Sequence, residues 1–210
     1  MYEIKHLLIS LDFITIIIYS IKMTTYWTGW PSKGAYVDDL NWSAKVSINY
    51  LRNLVKSKKI TRPCVLFDVD ETLVFGDPEE KIGVREMELG DHNGQPVFIL
   101  PPNPQIVKIA IEAKKLGIKV VVLTARPKTS KLATVTNLDM FRIPYDKVFM
   151  NEKDEDPEFK IRLRRQIASQ NSLLLTVGDQ PCDVLLPGRS GILKLPDPDS
   201  KCAYFLPGLY

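Results

Sequence analysis

The sequence predicts an α/β fold built on a mostly parallel sheet, and three observations lead there. Val65–Phe67, Val120–Leu123 and Leu173–Val177 are short, uninterrupted apolar runs, the pattern of strands buried on both faces. Segments of helical length and spacing separate them. All three runs end in polar residues at the same, carboxyl-terminal side. Strands that alternate with helices need crossover connections, and crossovers make neighbouring strands parallel. In open sheets of this kind, ligands bind outside the carboxyl ends of the strands.

Taken in order, the elements are these. Trp27 to Lys33 reads as a loop from its Gly and Pro. Asp38 to Val55 reads as a helix, with Val46, Ile48, Leu51 and Val55 apolar. Pro63 precedes the first strand. Gly76 to Gly94 is charged and too irregular for a core element, and His92 falls in it as a loop residue. Val97–Leu100 is a short strand candidate. Gly76 to Leu100 as a whole has the size of a hairpin flap rather than a cap domain. Pro104 to Leu116 is an amphipathic helix with Ile106, Ile109, Ile111 and Ala113 apolar, stopped by Gly117. A helix is expected from Pro127 to about Leu138, a strand at Lys147–Met150, and a helix from Pro157 to Ser169. Gly191–Leu195 is expected to be the last strand.

The chain has 210 residues, 45% hydrophobic and 25% charged, which fits one domain with a sizeable core. A net charge of +3 gives no indication of a nucleic-acid partner. Three cysteines without close pairing show neither a disulfide framework nor a C-x-x-C metal site. A reducing, cytoplasmic setting is the simplest reading. Cys64 reads as a core residue. Cys182 lies inside the Asp179–Asp183 loop, and neither His6 nor His92 stands in a motif that would activate it.

The polar residues at the strand ends carry the chemistry. The first strand runs into Asp68-Val-Asp70-Glu-Thr72. Alternate residues of an extended chain share a face, so two carboxylates are aimed at one spot, and a bound cation is the simplest reason to tolerate them. The second strand ends in Thr124. Lys160 stands in the basic helix Glu158–Arg165, and the third strand ends in Gly178, Asp179 and Asp183. Singly, these are a solvated loop, a solvated hydroxyl, a surface lysine and a turn. Together, in this order, FDVDET, LTAR, FK-x-R-x-RR and GDQ-x-x-D resemble the haloacid dehalogenase (HAD) superfamily, and within it the acid phosphatases of subfamily IIIB. Leu193-Lys-Leu-Pro-Asp-Pro198 resembles their C-terminal segment, and Gly34–Leu40 an upstream one. Ala125, Pro181 and Cys182 depart from the usual residues of that pattern.

The resemblance implies a HAD-like Rossmannoid three-layer fold with only a small flap insertion. It implies phosphomonoester hydrolysis through an aspartyl-phosphate, with Asp68 as nucleophile, Asp70 as acid and base, and Thr124 and Lys160 against the phosphoryl group. Mg²⁺ would be held by Asp68, the Asp70 backbone carbonyl and Asp179, with Asp183 in support and Thr72 holding the motif loop by a local hydrogen bond. Arg162, Arg164 and Arg165 are expected on a solvated helix face. The substrate would be a phosphorylated small molecule or, as an alternative, the serine tail of a phosphoprotein, since D-x-D-E-T-L-V is shared with phosphatases of that kind. A storage or binding protein on the same fold is the third reading, opposed by the presence of Asp68. The chain lacks G-x-x-x-x-G-K-[ST] and G-x-G-x-x-G, which argues against Walker-type NTP hydrolysis and dinucleotide chemistry.

Residues 1–22 are read as a hydrophobic extension ahead of a single domain, 23–210. Leu7 to Ile21 is apolar but shorter than the roughly 20 residues of a spanning helix, and Asp12 interrupts it at a cost of about 2.5–3.5 kcal/mol near a helix centre. A membrane anchor and a packed first element are the other readings, and no small-residue cleavage site follows. A chain starting at Met23 is expected to keep its fold and activity, with its melting temperature within a few degrees of the full chain. Loss of soluble, active protein on that truncation would show that the segment packs on the core.

Overall fold

The computed structural model describes residues 33–75, 87–92, 95–100, 102–151, 158–184, 190–196 and 203–208. The segment 7–21, the loop 27–32 and His6 lie outside them. The helices are α1 (Lys33–Ser57), α2 (Pro104–Lys115), α3 (Lys131–Met140), α4 (Phe159–Gln170) and the single turn α5 (Pro181–Val184). The strands are β1 (Pro63–Phe67), β2 (Met87–His92), β3 (Gln95–Ile99), β4 (Lys119–Pro127), β5 (Lys147–Asn151), β6 (Ser172–Gly178), β7 (Gly191–Lys194) and β8 (Tyr204–Leu206).

Six strands form the main sheet in the order β5-β4-β1-β6-β7-β8. All neighbours are parallel except β7 and β8. β1 is central because its apolar run is covered on both faces, and the pleat divides its side chains. Val65 and Phe67 join Val120 and Val122 in the larger core with α1, α2 and Leu138 of α3. Cys64 and Leu66 join Val121 and Leu173 in a smaller one under Ile167 and Leu163 of α4. Helices therefore cover both faces, and the three layers follow.

α2 begins as its sequence suggests. Asn103 accepts the Ile106 N–H at 3.4 Å and Pro104 occupies the first turn. Its buried stripe is Ile106, Val107, Ile109, Ala110 and Ala113, while Ile111 is exposed. Ile111 lies two positions past Ile109, about 200° around the helix, so it cannot share that stripe. Gly117 (φ +72°) then turns the chain into β4.

Several elements depart from the sequence expectation. α1 is longer than 38–55, and α3 starts after a 3₁₀ turn at Lys128–Ser130. β2 and β3 pair as an antiparallel hairpin apart from the main sheet, so His92 is a strand residue. This hairpin is the expected flap. Its return end is fixed to α3, where Asn137 accepts the Leu100 N–H (3.0 Å) and donates to its carbonyl (2.8 Å). The last strand is β8, antiparallel at the sheet edge, rather than β7.

The carboxyl ends of β1, β4 and β6 open on one side. Asp68 is fixed there by its N–H, which donates to the Val177 carbonyl of β6 at 3.0 Å. The chain then closes a tight loop, in which Leu73 and Val74 donate back to Val69 and Glu71 takes φ +54°. After β6, α5 folds back over the strand end. A Cβ added at Gly178 would lie 2.2 Å from the Asp183 Cβ. Gly178→Ala is therefore expected to push α5 off the strand, at a cost of about 1–3 kcal/mol in thermal or denaturant unfolding. An unchanged midpoint would show that α5 shifts freely.

Candidate active site

Four residues, from the ends of β1 and β6 and from α4 and α5, meet at the carboxyl end of the sheet. The Lys160 Nζ donates to Asp68 Oδ1 at 2.8 Å and to Asp183 Oδ1 at 2.5 Å. Asp179 completes the group, and one carboxylate oxygen each of Asp68, Asp179 and Asp183 lies within 4.8 Å of the others. All four side chains are buried. Lys160 reaches the cluster from the first turn of α4, Asp68 from the end of β1, and Asp179 and Asp183 from beyond β6.

Electrostatics follow from burial. Loss of solvent, then the charge of Asp183, holds the Asp68 carboxyl well above the usual carboxylate range, against the opposing pull of Lys160. Burial, with the Asp183 charge added, pushes Asp179 up to about 6, although the Gln180 side chain donates to it at 2.9 Å. Burial alone would lower the Lys160 ammonium. The two carboxylates on it outweigh that and hold it above its ordinary value.

Thr72, Thr124 and Asp70 are placed as follows, with one difference from the expected contact. The Thr72 hydroxyl is buried and directed at Asp179 Oδ1, 3.5 Å away, so its contact crosses from one motif to another rather than closing its own loop. Thr124 is fully buried and its hydroxyl accepts the Arg126 N–H at 3.1 Å. Asp70 stands at the rim, its side chain 43% exposed, and is gripped by Arg126. The Arg126 Nε lies 2.9 Å from Oδ2 and its Nη2 2.5 Å from Oδ1, while Nη1 donates to Thr134 at 3.2 Å.

Arg126 was not singled out in the sequence, though it follows Thr124 by two positions, where alternate strand residues share a face. Nor was Tyr36, which α1 buries against Phe75. Burial, then the charges of Glu71 and Asp179, raises its phenol. The arginines of α4 need a further correction. Arg162 and Arg165 are exposed, but Arg164 is 1% exposed and the bulkiest of the fully buried side chains among the described residues. Cys182, half-buried on α5, has its thiol raised by burial and by Asp183, which leaves it a poor nucleophile. Cys64, fully buried in β1, is pushed up to about 12 and is a core residue as expected.

Three carboxylates around one ammonium leave negative charge in a buried site, and hard oxygen donors at this separation suit a divalent cation. The family model for HAD superfamily, subfamily IIIB (acid phosphatase) matches residues 22–202. The chain belongs to this family. This acid phosphatase has the fold of a class C acid phosphatase from Bacillus anthracis, with a TM-score of 0.54 at 16% identity over 82% of this chain and 72% of that one. A class C acid phosphatase from Bacillus anthracis with tungstate bound aligns with a TM-score of 0.49 at 18% identity, over 78% and 68%. No curated protein sequence matches the chain. The phosphatase is thus a hydrolase, and its family generally uses a divalent metal. Among the described residues, no helix is long and apolar enough to cross a membrane.

The raised Asp179 gives a pH prediction for the metal-free phosphatase. Its folded value, about 6, exceeds the ordinary 3.8. The folded state thus binds that proton more tightly, and the stability it contributes, full below the ordinary value, is lost as pH rises through about 6. In EDTA, the melting temperature should fall between about pH 5 and about pH 7, and fall less in Asp179→Asn. Equal slopes for the two proteins would contradict the assignment.

Proposed function

We propose that this phosphatase hydrolyses phosphomonoesters through an aspartyl-phosphate on Asp68, with Mg²⁺ as its metal. The observation that carries this reading is the Asp68 carboxylate at the end of the central strand, 2.8 Å from the Lys160 Nζ and grouped with Asp179 and Asp183. A nucleophile, a fixed positive charge and a metal-competent carboxylate set then converge on one point.

In the first step an Asp68 oxygen attacks phosphorus and the bond to the leaving oxygen breaks. Asp70 supplies the proton that this oxygen needs. In the second step Asp70 takes a proton from the attacking water, the acyl phosphate is cleaved, and Asp68 returns to a carboxylate with release of inorganic phosphate. The half-exposed position of Asp70 suits it to reach both leaving group and water. Lys160 offsets the charge of the phosphoryl oxygens, and the Thr124 hydroxyl can donate to one of them. Asp68, the Asp70 carbonyl and Asp179 would hold Mg²⁺, with Asp183 in support. When bound, the ion supplies the charge neutralisation that lets an anionic substrate approach carboxylates.

The family match over 22–202 supports reading residues 23–210 as one catalytic domain. A phosphorylated small molecule is the proposed substrate, and the short flap supports an open site that admits bulky ones. Asp68→Asn should lower turnover of a phosphomonoester such as p-nitrophenyl phosphate by more than about a thousandfold while leaving the protein folded. EDTA should abolish turnover and Mg²⁺ restore it, and Asp179→Ala should sharply raise the Mg²⁺ requirement. Full activity in EDTA, or in a folded Asp68→Asn protein, would overturn the proposal.

A further inference from the structure

Arg164 follows Lys160 by four residues on α4, so the two side chains share one helix face. Arg162 and Arg165 on the same helix reach solvent, whereas Arg164 is 1% exposed. A guanidinium cannot shed its proton in a protein, and burying it is costly unless anions compensate. α4 packs against α5, the turn that carries Cys182 and Asp183. Burial is the largest influence on the guanidinium and works against its charge. The Asp183 carboxylate is the first of the charges that favour it, and the Asp68 carboxylate is another. Two of the three buried carboxylates are therefore among the anions that offset the burial of this arginine.

We infer that Arg164 is a positioning residue, a fixed buried cation behind the carboxylate cluster that acts through Asp183 and Asp68. It sets the balance between attraction for a divalent cation and attraction for a phosphoryl group. This inference rests on the proposed metal-dependent phosphatase reading. With all three carboxylates ionised, as a bound cation favours, Lys160 and Arg164 together leave one excess negative charge. Without Arg164 they leave two. The more negative cluster draws a divalent cation harder and repels a phosphate more strongly. The arginine thus gives up some metal affinity and gains compatibility with an anionic substrate.

The test is calorimetric titration of the purified full chain with Mg²⁺, together with inhibition of p-nitrophenyl phosphate turnover by inorganic phosphate. Arg164→Met, which keeps much of the length and removes the charge, should tighten Mg²⁺ binding on the order of tenfold and weaken phosphate inhibition by a similar factor. Arg164→Lys, which keeps a cationic head without the guanidinium fork, should fall between the parent and Arg164→Met on both. A residue that served only packing would leave Mg²⁺ affinity unchanged in a folded Arg164→Met protein, and that result overturns the inference. Should Arg164→Met fail to fold, the same change is made in an Asp183→Asn chain. There it should cost less, because the first of the charges that favour the guanidinium has been removed, and an equal failure to fold overturns the inference. Absence of turnover in the parent would overturn the phosphatase reading alone. Absence of Mg²⁺ binding by the parent would overturn both.

Discussion

The bridge from Lys160 to Asp68 and Asp183 is the constraint around which the rest of the site is arranged. Its two hydrogen bonds, 2.8 and 2.5 Å long, join the end of the central strand, the first turn of α4 and the turn beyond β6. Those three places are far apart in sequence and meet only if the sheet has the order β4-β1-β6 with α4 on one face. Removing one member of a buried ion cluster leaves its partners uncompensated, which costs about 3–5 kcal/mol. The bridge is therefore both a product of the fold and a restriction on it.

Other features follow from that restriction. The Asp183 carboxylate can reach Lys160 only if α5 lies directly on the end of β6, and the absent side chain at Gly178 provides the room. The Gln180 N–H donates to Asp183 Oδ2 at 3.0 Å, which fixes the carboxylate from its other side. Asp68 is held by a backbone bond to β6, so its carboxylate and those of Asp179 and Asp183 are tied to the two central strands. Asp70, bound by Arg126 from the end of β4, is the more exposed acid and the one with access to water.

Much of this was legible in the sequence because strand ends leave strong marks. An apolar run that stops at Asp68, Thr124 or Asp179 states both the strand and the side of the sheet on which it ends. Lys160 was legible through its place in the order of motifs. Arg164 was misread because a basic helix with exposed Arg162 and Arg165 has the composition of a solvated face, and only the three-dimensional position of Asp183 gives a buried guanidinium its partner. Arg126 was passed over because its role is to hold Asp70, a pairing across 56 residues that no local spacing encodes. β2 escaped notice for a different reason. Its sequence, MELGDH, carries charges and a glycine and reads as an irregular loop, and among the described residues it pairs with β3 alone. β8, three residues long, is below the length at which periodicity says anything.

The central claim is that Asp68 becomes phosphorylated during turnover, and chemical trapping tests it most directly. The protein, mixed with a phosphomonoester and Mg²⁺, is quenched within its first turnovers and treated with borohydride, which reduces an aspartyl phosphate to homoserine. Peptide mass spectrometry should then find the conversion at Asp68 in proportion to the trapped enzyme, and none without substrate. Conversion at Asp70 or Asp179 instead would contradict the assignment of the nucleophile. Substrate turnover with no conversion at any aspartate under the same quench would contradict the covalent route itself.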